Sequence, residues 1–478
     1  MTNLQVAANG LVAHPEPAPL PFGPATVADI LAEGVANHPD RLALIDGDET
    51  WTYVELDEEV AREADRIGRP DGRAIWKIPS SAKLVIAVLA SFRVGEPWVA
   101  TTSDPDLRSK PALGARPAED LLDPRTPAVI AFTSGTTGAP KQVVHSHQSM
   151  LLPAAVSAEL EPPENGERIG TPLDLRIANV MILGPLSAFV RGSTFVVMQG
   201  RSASVMAADI EQHGVTRLIT VPTLAYDLAH SVDVQASQLQ GLGRVILGGS
   251  GGDPEMLRLF TERFGVRPTL SYGLTEAPTG VVRESLNDPI GSGKGHPLPH
   301  VEVIIVEPDS GHILPPGSTG EVCLRPAKQG LWANTWTGTL GYLDEPERTR
   351  WLFRGSMLHT GDLGSLDDEG RVSITGRLSN LIVRGGLNVD PEVIRNALVA
   401  DLAVADASVT GYPDERLGQA IGAVVVADGT PIDVDALAQR TRDRLKPAPG
   451  PDSIVVVDEL ARSAMGKVLA PAPELFAS

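Results

Sequence analysis

Apolar residues along this chain follow two alternating spacings. From Thr26, the segment VADILAEGVANHPD places them three and four positions apart, which predicts a helix. The next segment, LALIDGDETWTYVEL, has two apolar runs around Asp-Gly-Asp, which predicts a strand–turn–strand unit. Strand-like runs then alternate with helical stretches, as in AVIAFTSG, TFVVMQG, RLITVPT and RVILGGSG. This alternation predicts α/β layers.

The pattern changes after about residue 290, where short strands are separated by turns, as in VEVIIVEPDSG, GEVCLRP and GRVSITG. A boundary is expected at GRLSN, near 376–380, and a smaller α+β pattern follows it. We therefore predict a multi-domain α/β protein with a β-rich subdomain. Its expected parts are an extended lead-in (1–25), a large N-terminal domain (26–376), a hinge (377–380) and a small mobile C-terminal α+β lid domain (381–478).

Charge and composition narrow the possible partners. Forty Lys and Arg residues against sixty Asp and Glu give a formal charge of −20, which disfavours nucleic acid. No apolar run is long enough for a membrane helix, so no membrane partner is expected. The single cysteine, Cys323, and an N-terminus without a secretory pattern predict a cytoplasmic protein.

The strongest chemical signal is the segment AFTSGTTGAPK, which directly follows an apolar run and ends at Lys141. Small hydroxyl residues and glycines in a turn can offer backbone N–H groups and hydroxyls to a polyphosphate, and the lysine adds positive charge. The segment does not fit the Walker A pattern, because Gln142 follows the lysine. Taken alone, it is open to two interpretations, a phosphate-binding loop or a flexible surface loop.

Further segments extend this observation in a fixed order along the chain. They are YGLTE (272–276), GYLDEPE (341–347), TGD (360–362), GR (376–377), RGGLNV (384–389), GYPDERLGQAIGAVVV with Gly418, and GK (466–467). Together with 133–141, they resemble the motifs of the adenylate-forming superfamily, which includes acyl- and aryl-CoA synthetases, peptide-synthetase adenylation domains and luciferases. The resemblance spans about residues 26 to 470.

The resemblance implies roles for individual residues. Tyr272 would pack on adenine, Thr275 would meet the phosphates, Glu276 would hold Mg²⁺, and Asp362 would bind the ribose hydroxyls. Lys467 would stabilise the adenylation transition state, so the implied catalytic residues are Lys467, Thr275 and Glu276. The implied ATP- or AMP-binding residues are Thr133, Ser134, Gly135, Thr136, Thr137, Lys141, Gly249, Ser250, Ser271, Tyr272, Gly273, Asp362 and Arg377.

The same resemblance implies an acyl pocket lined by Thr223, Gly249, Ser250 and Gly280. Gly385 and Gly386 would line the tunnel for the pantetheine arm of coenzyme A, since glycine lets backbone come close to a ligand. Ser379 would be the hinge residue. The implied cofactors and substrates are ATP, Mg²⁺, coenzyme A and a small carboxylic acid.

Three features depart from the family pattern. The interval between Trp98 and the phosphate loop is short, and the segment 171–180 has neither the aromatic residue nor the histidine expected near the acyl pocket. Within it, Asp174 and Arg176 could contact a substrate amine and a second carboxylate, or pair with each other. The expected hinge acid or lysine is replaced in Leu378-Ser379-Asn380.

These observations favour a carboxylate–CoA ligase that forms acyl-AMP from acid and ATP and then transfers the acyl group to coenzyme A. Two alternatives keep the fold but change the reaction. One is an adenylation enzyme that loads a carrier protein, and the other is a half-enzyme that only converts acyl-AMP to acyl-CoA. A non-catalytic nucleotide-binding protein is disfavoured, because Lys141, Glu276, Asp362 and Lys467 are all present.

Overall fold

The computed structural model describes residues 4–67, 77–102, 123–132, 141–249, 251–446, 448–461 and 468–476, with only the backbone described for Thr279 and Asn388. The chain divides into two compact units. Unit 1 comprises Met1–Ile304, Cys323–Thr360 and Gly370–Val372, and unit 2 comprises Ile305–Val322, Gly361–Glu369 and Ser373–Ser478. The predicted domain limits and the hinge function of 377–380 stay predictions.

The α-helices of the described residues are mostly short. They are α1 Ala32–Asn37, α2 Tyr53–Ile67, α3 Ala82–Arg93, α4 His147–Leu160, α5 Ala178–Met181, α6 Ser187–Val190, α7 Ala203–His213, α8 Pro222–His230, α9 Pro254–Phe264, α10 Pro346–Leu352, α11 Pro391–Val399 and α12 Val434–Leu445. A π-helical turn, Ile182–Leu186, joins α5 to α6. In the described part of the chain, no helix is long and apolar enough to cross a membrane.

Local sequence explains where several helices begin and end. Asp253 caps α9 by accepting a hydrogen bond from the backbone N–H of Glu255 at 3.1 Å, and Pro254 occupies the first helical position. Gly265 ends α9 in the left-handed conformation, with φ of 73°. The helix predicted from Thr26 is interrupted, because Val27–Asp29 forms a 3₁₀ turn before α1.

The strands of the described residues form four sheets. They are β1 Leu42–Asp46, β2 Glu49–Thr52, β3 Trp98–Ala100, β4 Pro127–Phe132, β5 Gln142–Ser146, β6 Arg168–Thr171, β7 Thr194–Val197, β8 Arg217–Thr220, β9 Arg244–Gly248, β10 Pro268–Leu274, β11 Ala277–Arg283, β12 His296–Pro297, β13 Val301–Val306, β14 Thr319–Pro326, β15 Gly341–Tyr342, β16 Leu358–Leu366, β17 Val372–Arg377, β18 Ile382–Arg384, β19 Leu387–Val389, β20 Val404–Asp414, β21 Gly418–Ala427 and β22 Ser453–Val457.

A nine-stranded sheet is the centre of unit 1, in the order β12-β11-β10-β9-β8-β6-β7-β1-β2. Its six middle strands, from β10 to β1, are parallel, and their apolar runs are buried. A core cluster packs α7, α8 and α9 on this sheet through side chains such as Ile210, Leu228 and Phe260. The predicted α/β architecture is therefore confirmed.

Smaller sheets complete the fold. One has the order β15-β5-β4-β3, and another has the order β13-β14-β16-β17. In unit 2, β19-β18-β21-β20 form a sheet in which β22 also pairs with β21. Its core includes Ile394 and Leu398 of α11 and Leu437 of α12, so the C-terminal region has the expected α+β composition. The segment Leu378–Asn380 is a 3₁₀ turn between β17 and β18.

Candidate active site

The site begins at the tip of the β10–β11 hairpin. Leu274 pairs with Ala277 across the hairpin, so Thr275 and Glu276 form its two-residue turn. Since β10 runs parallel to β9, this turn lies at the carboxyl ends of the parallel strands, the edge where ligands bind in open α/β sheets. Ser271, Tyr272 and Gly273 lie on β10 directly before it.

Glu276 is held by a buried tyrosine from a distant part of the chain. The hydroxyl of Tyr342 donates a hydrogen bond of 2.5 Å to Oε1 of Glu276. Burial raises the pKa of Tyr342, and the negative charge of Glu276 raises it further, so the hydroxyl stays protonated and remains a donor. The backbone N–H of Thr339 also donates to the carbonyl of Glu276 at 3.0 Å.

Thr275 is held from a second direction. Nε2 of His145, on β5, lies 2.6 Å from the carbonyl oxygen of Thr275. Burial lowers the pKa of His145 to about 4, so the ring is neutral near pH 7. Because a carbonyl can only accept, Nε2 carries the proton and donates it. The hairpin tip is therefore fixed by His145 on one residue and Tyr342 on the next.

Lys141 lies close to Tyr342, the residue that holds Glu276, and like them it belongs to unit 1. Its Nζ is 5.7 Å from the centre of the Tyr342 ring, within the range of a cation–π contact. β5 begins directly after Lys141 and pairs with β15, where Val143 lies opposite Tyr342. The structure thus brings together Lys141, Glu276 and Tyr342, which belong to three separate sequence motifs.

The predicted acyl-pocket residues follow the same edge of the sheet. Thr223 is in the first turn of α8, just after β8, and Gly249 directly follows β9 with φ of 88°. Gly280 lies within β11 with φ of 86°. A Cβ on Gly280 would lie 3.2 Å from Leu298 and 3.6 Å from the hydroxyl oxygen of Ser271. The backbone conformation at 249 and 280 therefore favours glycine.

Asp362 and Arg377 form an ion pair within unit 2. Nε of Arg377 lies 2.7 Å from Oδ1 of Asp362, and the aspartate side chain is buried while the arginine is half exposed. The carboxylate oxygens of Asp362 can accept hydrogen bonds, which suits the role implied for ribose hydroxyls.

Gly385 and Gly386 form the two-residue turn between β18 and β19. Both have positive φ, 58° and 84°, as a type I′ hairpin turn requires. Arg384 ends β18 and pairs with Asp452 at 2.6 Å, which anchors the base of the hairpin. Both glycines are exposed. Ser379, the predicted hinge residue, is also exposed, in the 3₁₀ turn.

Several predicted site residues lie outside the described part of the chain. They are Thr133, Ser134, Gly135, Thr136, Thr137, Ser250 and Lys467. Their implied roles stay predictions.

Two features extend the sequence interpretation. Asp174 and Arg176 pair with each other at 2.6 Å, which favours the ion-pair interpretation over direct substrate contacts. His145 and a buried arginine, Arg283, belong to none of the motifs recognised in the sequence. A charged residue directly after Val281 and Val282 in a strand-like run was the available signal for Arg283.

The carboxylate of Glu276 fits a hard cation such as Mg²⁺. Oε1 accepts from Tyr342, and Oε2 has no hydrogen-bond partner among the described residues. Mg²⁺ prefers oxygen ligands and is commonly held by one or two carboxylates together with substrate phosphates. The geometry therefore supports the metal-binding role implied for Glu276.

Comparison with known families agrees with the motifs. Residues 96–329 match the family model of AMP-binding enzymes, and residues 394–467 match the AMP-binding enzyme C-terminal domain. The chain is 31% identical to an indoleacetate–CoA ligase from Aromatoleum aromaticum, over 74% of this chain and 68% of that protein. It is 30% identical to the putative acyl-CoA synthetase YngI of Bacillus subtilis, over 70% of this chain and 61% of that protein.

The fold is also similar to solved structures. One is o-succinylbenzoate CoA synthetase (MenE) from Bacillus subtilis in complex with its acyl-adenylate intermediate, with a TM-score of 0.76 and 24% identity over 92% of this chain and 96% of that one. The matched domains, the identity to the indoleacetate–CoA ligase and the order of the motifs lead to one conclusion. The chain belongs to the adenylate-forming superfamily of AMP-binding enzymes, among its acyl-CoA synthetase-like members.

Proposed function

We propose that the protein is an AMP-forming acid–thiol ligase. It joins a carboxylic acid to the AMP part of ATP with release of pyrophosphate, and then transfers the acyl group to coenzyme A with release of AMP. The observation that carries this proposal is the position of Glu276, Tyr342 and Lys141 at the carboxyl edge of the large sheet. A fixed carboxylate and a lysine at this edge suit a metal-bound polyphosphate.

The first half-reaction brings a carboxylate against the α-phosphate of ATP. When bound, Mg²⁺ would neutralise part of the polyphosphate charge. Glu276 would hold the metal, Tyr342 fixes the orientation of Glu276, and Lys141 contributes positive charge nearby. Asp362 accepts from the ribose hydroxyls, and Lys467 stabilises the charge that develops in the transition state.

The second half-reaction transfers the acyl group to a thiol. The two relatives reported above, a putative acyl-CoA synthetase and an indoleacetate–CoA ligase, support coenzyme A as the acceptor. The exposed glycine turn at 385–386 suits close passage of a narrow pantetheine arm. We expect the reaction to take place in the cytoplasm.

The test uses purified protein, Mg²⁺ and a panel of carboxylic acids. Acyl-CoA is measured by mass spectrometry from two starting points, acid with ATP and synthetic acyl-AMP. Product from both starting points supports the complete ligase. Product from acyl-AMP alone would identify a half-enzyme, whereas thioester on a carrier protein but not on coenzyme A would favour carrier loading. Absence of product under every condition would overturn the proposal.

A further inference from the structure

Unit 1 contains a buried cluster of arginines whose positive charge exceeds the negative charge of the glutamates they contact. Among the described residues, four guanidinium groups contact two glutamates, Glu161 and Glu167, and the arginine side chains are at most 11% exposed. The cluster therefore has two more positive than negative charges, in a protein whose overall charge is −20. The arginines are Arg191, Arg217, Arg244 and Arg283.

Of the four arginines, Arg283 has the longest ion-pair distance to a glutamate. Its Nη1 lies 3.6 Å from Oε1 of Glu161, and the carboxylate of Glu161 is already hydrogen-bonded by Arg217 and Arg244. Nε of Arg283 is buried without a hydrogen-bond partner among the described residues. Burial lowers the pKa of Arg283 to about 10, so the group remains charged at neutral pH. A buried charge with so few hydrogen bonds is costly unless an anion completes it.

The guanidinium group lies beside the predicted acyl pocket. Nη2 of Arg283 is 3.8 Å from the point where a Cβ of Gly280 would be, and the hydroxyl oxygen of Ser271 is 3.6 Å from the same point. Ser271 and Arg283 are opposite each other in the β10–β11 pair, so their side chains project from the same face of the sheet. Because residue 280 is a glycine, no side chain from it covers the guanidinium group.

His300 also lies near Arg283, and it adds no negative charge. His300 is 1% exposed, and its Nδ1 is buried without a partner among the described residues. Burial, and then the charge of Arg283, lower the pKa of His300 to about 3, so the imidazole is neutral. His300 therefore does not offset the positive charge of Arg283.

We propose that Arg283 binds a second carboxylate on the acid substrate, which makes dicarboxylic acids the preferred substrate class. The inference rests on the proposed ligase function and assigns the far end of its acyl pocket. A guanidinium group can bind a carboxylate through two parallel hydrogen bonds, and Ser271 offers a hydroxyl on the same face. The reacting carboxylate then points towards the hairpin tip at Thr275 and Glu276.

The distance along β11 sets the range of acids to test. Gly280 lies four residues from Glu276, a separation of roughly 13 Å at about 3.3 Å per strand residue. The panel therefore pairs straight-chain monocarboxylic and dicarboxylic acids of about four to ten carbons. It also includes the monoamide of each diacid, which matches the diacid in size but lacks the second charge.

The experiment compares kcat/KM for acyl-CoA formation in wild type, Arg283→Met and Arg283→Lys. We expect wild type to prefer a diacid to its monoamide and to the monoacid by about 100-fold, as for a buried charge pair. Arg283→Met should lose this preference, and Arg283→Lys should recover part of it. Tryptophan fluorescence checks that each variant folds.

Arg244→Met is the matched control, because Arg244 belongs to the same cluster and also binds Glu161 but begins β9. A merely structural cluster would give equal losses on monoacids and diacids in both variants, and this would overturn the inference. Ligase activity in wild type on monoacids but not on diacids would overturn it while leaving the proposed function intact.

If the protein converts no acid to acyl-CoA, the proposed ligase function is wrong, and the role of Arg283 is tested separately by binding. Calorimetry with a non-reactive acyl-adenylate analogue that carries a terminal carboxylate then decides the inference by binding alone. Weaker binding to Arg283→Met than to wild type would support it. Equal binding to the two proteins would overturn it.

Discussion

At the residue scale, the contact between Tyr342 and Glu276 is the most specific part of the site. We predict that Tyr342→Phe weakens binding of ATP with Mg²⁺ by about tenfold, since the lost hydrogen bond leaves Glu276 free to rotate. The phenylalanine ring preserves the contact with Lys141. Calorimetric titration with ATP and Mg²⁺ measures the change directly.

Tyr226→Phe is the control for this substitution, because Tyr226 is half exposed on α8 and stacks on His230. It should bind ATP as wild type does. Equal affinity of Tyr342→Phe and wild type for ATP with Mg²⁺ would show that the hydroxyl does not position Glu276.

A second residue-scale prediction concerns Lys467. Lys467→Ala should lower the rate of pyrophosphate release by about 100-fold or more, because the substitution removes the positive charge that we propose stabilises the transition state. Lys446→Ala is the control, since Lys446 is an exposed residue that pairs with Asp443. Conversion of synthetic acyl-AMP should change much less. An unchanged rate of pyrophosphate release would contradict the role given to Lys467.

The sequence supported the residue-level prediction only in part. Glu276, Tyr342 and Lys141 were each visible in motifs, but the hydrogen bond between Tyr342 and Glu276 depends on how β15 pairs with β5. This pairing joins segments about two hundred residues apart, and no local pattern encodes it. Arg283 was missed because a single arginine at the end of an apolar run does not indicate burial by itself.

At the element scale, a substitution in the turn of the β18–β19 hairpin can affect thioester formation without affecting the stability of the fold. We predict that Gly385→Asn slows thioester formation by about tenfold but changes the free energy of unfolding by less than about 1 kcal/mol, because asparagine tolerates the positive φ of this turn. Its new side chain would narrow the proposed pantetheine passage. Quenched time-course assays of pyrophosphate release and of acyl-CoA formation measure the effect on each half-reaction.

Gly429→Asn is a matched control, because Gly429 also has positive φ, 72°, and open space around it. It should leave both half-reactions unchanged. An equal rate of thioester formation in Gly385→Asn and wild type would remove the hairpin from the coenzyme A passage.

Elements were predictable where the spacing of apolar residues was regular. The hairpin of β1 and β2 matches the predicted strand–turn–strand unit around Asp-Gly-Asp. The helix predicted from Thr26 was interrupted instead, and the π-helical turn Ile182–Leu186 was not predicted. Tertiary packing determines both, since local propensity is weak over such short segments.

At the scale of the whole molecule, we predict that unit 1 loses stability between about pH 6.5 and pH 4. His145 and His300 have folded pKa values of about 4 and about 3, below the ordinary 6.5, so the unfolded chain binds protons first as the pH falls. Each histidine should lower the free energy of unfolding by about 1.4 kcal/mol per pH unit in this window.

Urea unfolding followed by tryptophan fluorescence measures this stability, because the five tryptophans among the described residues all belong to unit 1. His300→Leu should have a smaller pH slope than wild type. A constant free energy of unfolding from pH 6.5 to pH 4.5 would contradict the assignment of neutral, buried histidines.

The overall architecture was predictable because alternating strands and helices restrict an α/β chain to few arrangements. The strand order was not, since β8 pairs with β6 while β7 lies on the other side of β6. That order depends on packing between distant segments, and it is what aligns Thr223, Gly249 and the β10–β11 tip along one edge.

Formation of acyl-AMP is measured directly by acid-dependent exchange of labelled pyrophosphate into ATP, with Mg²⁺ and without coenzyme A. We predict exchange with at least one acid and its loss when the acid or Mg²⁺ is omitted, because acyl-AMP forms reversibly before the thiol acts. Absence of exchange with every acid, in a folded protein that still binds ATP, would contradict the claim that this enzyme forms acyl-adenylates.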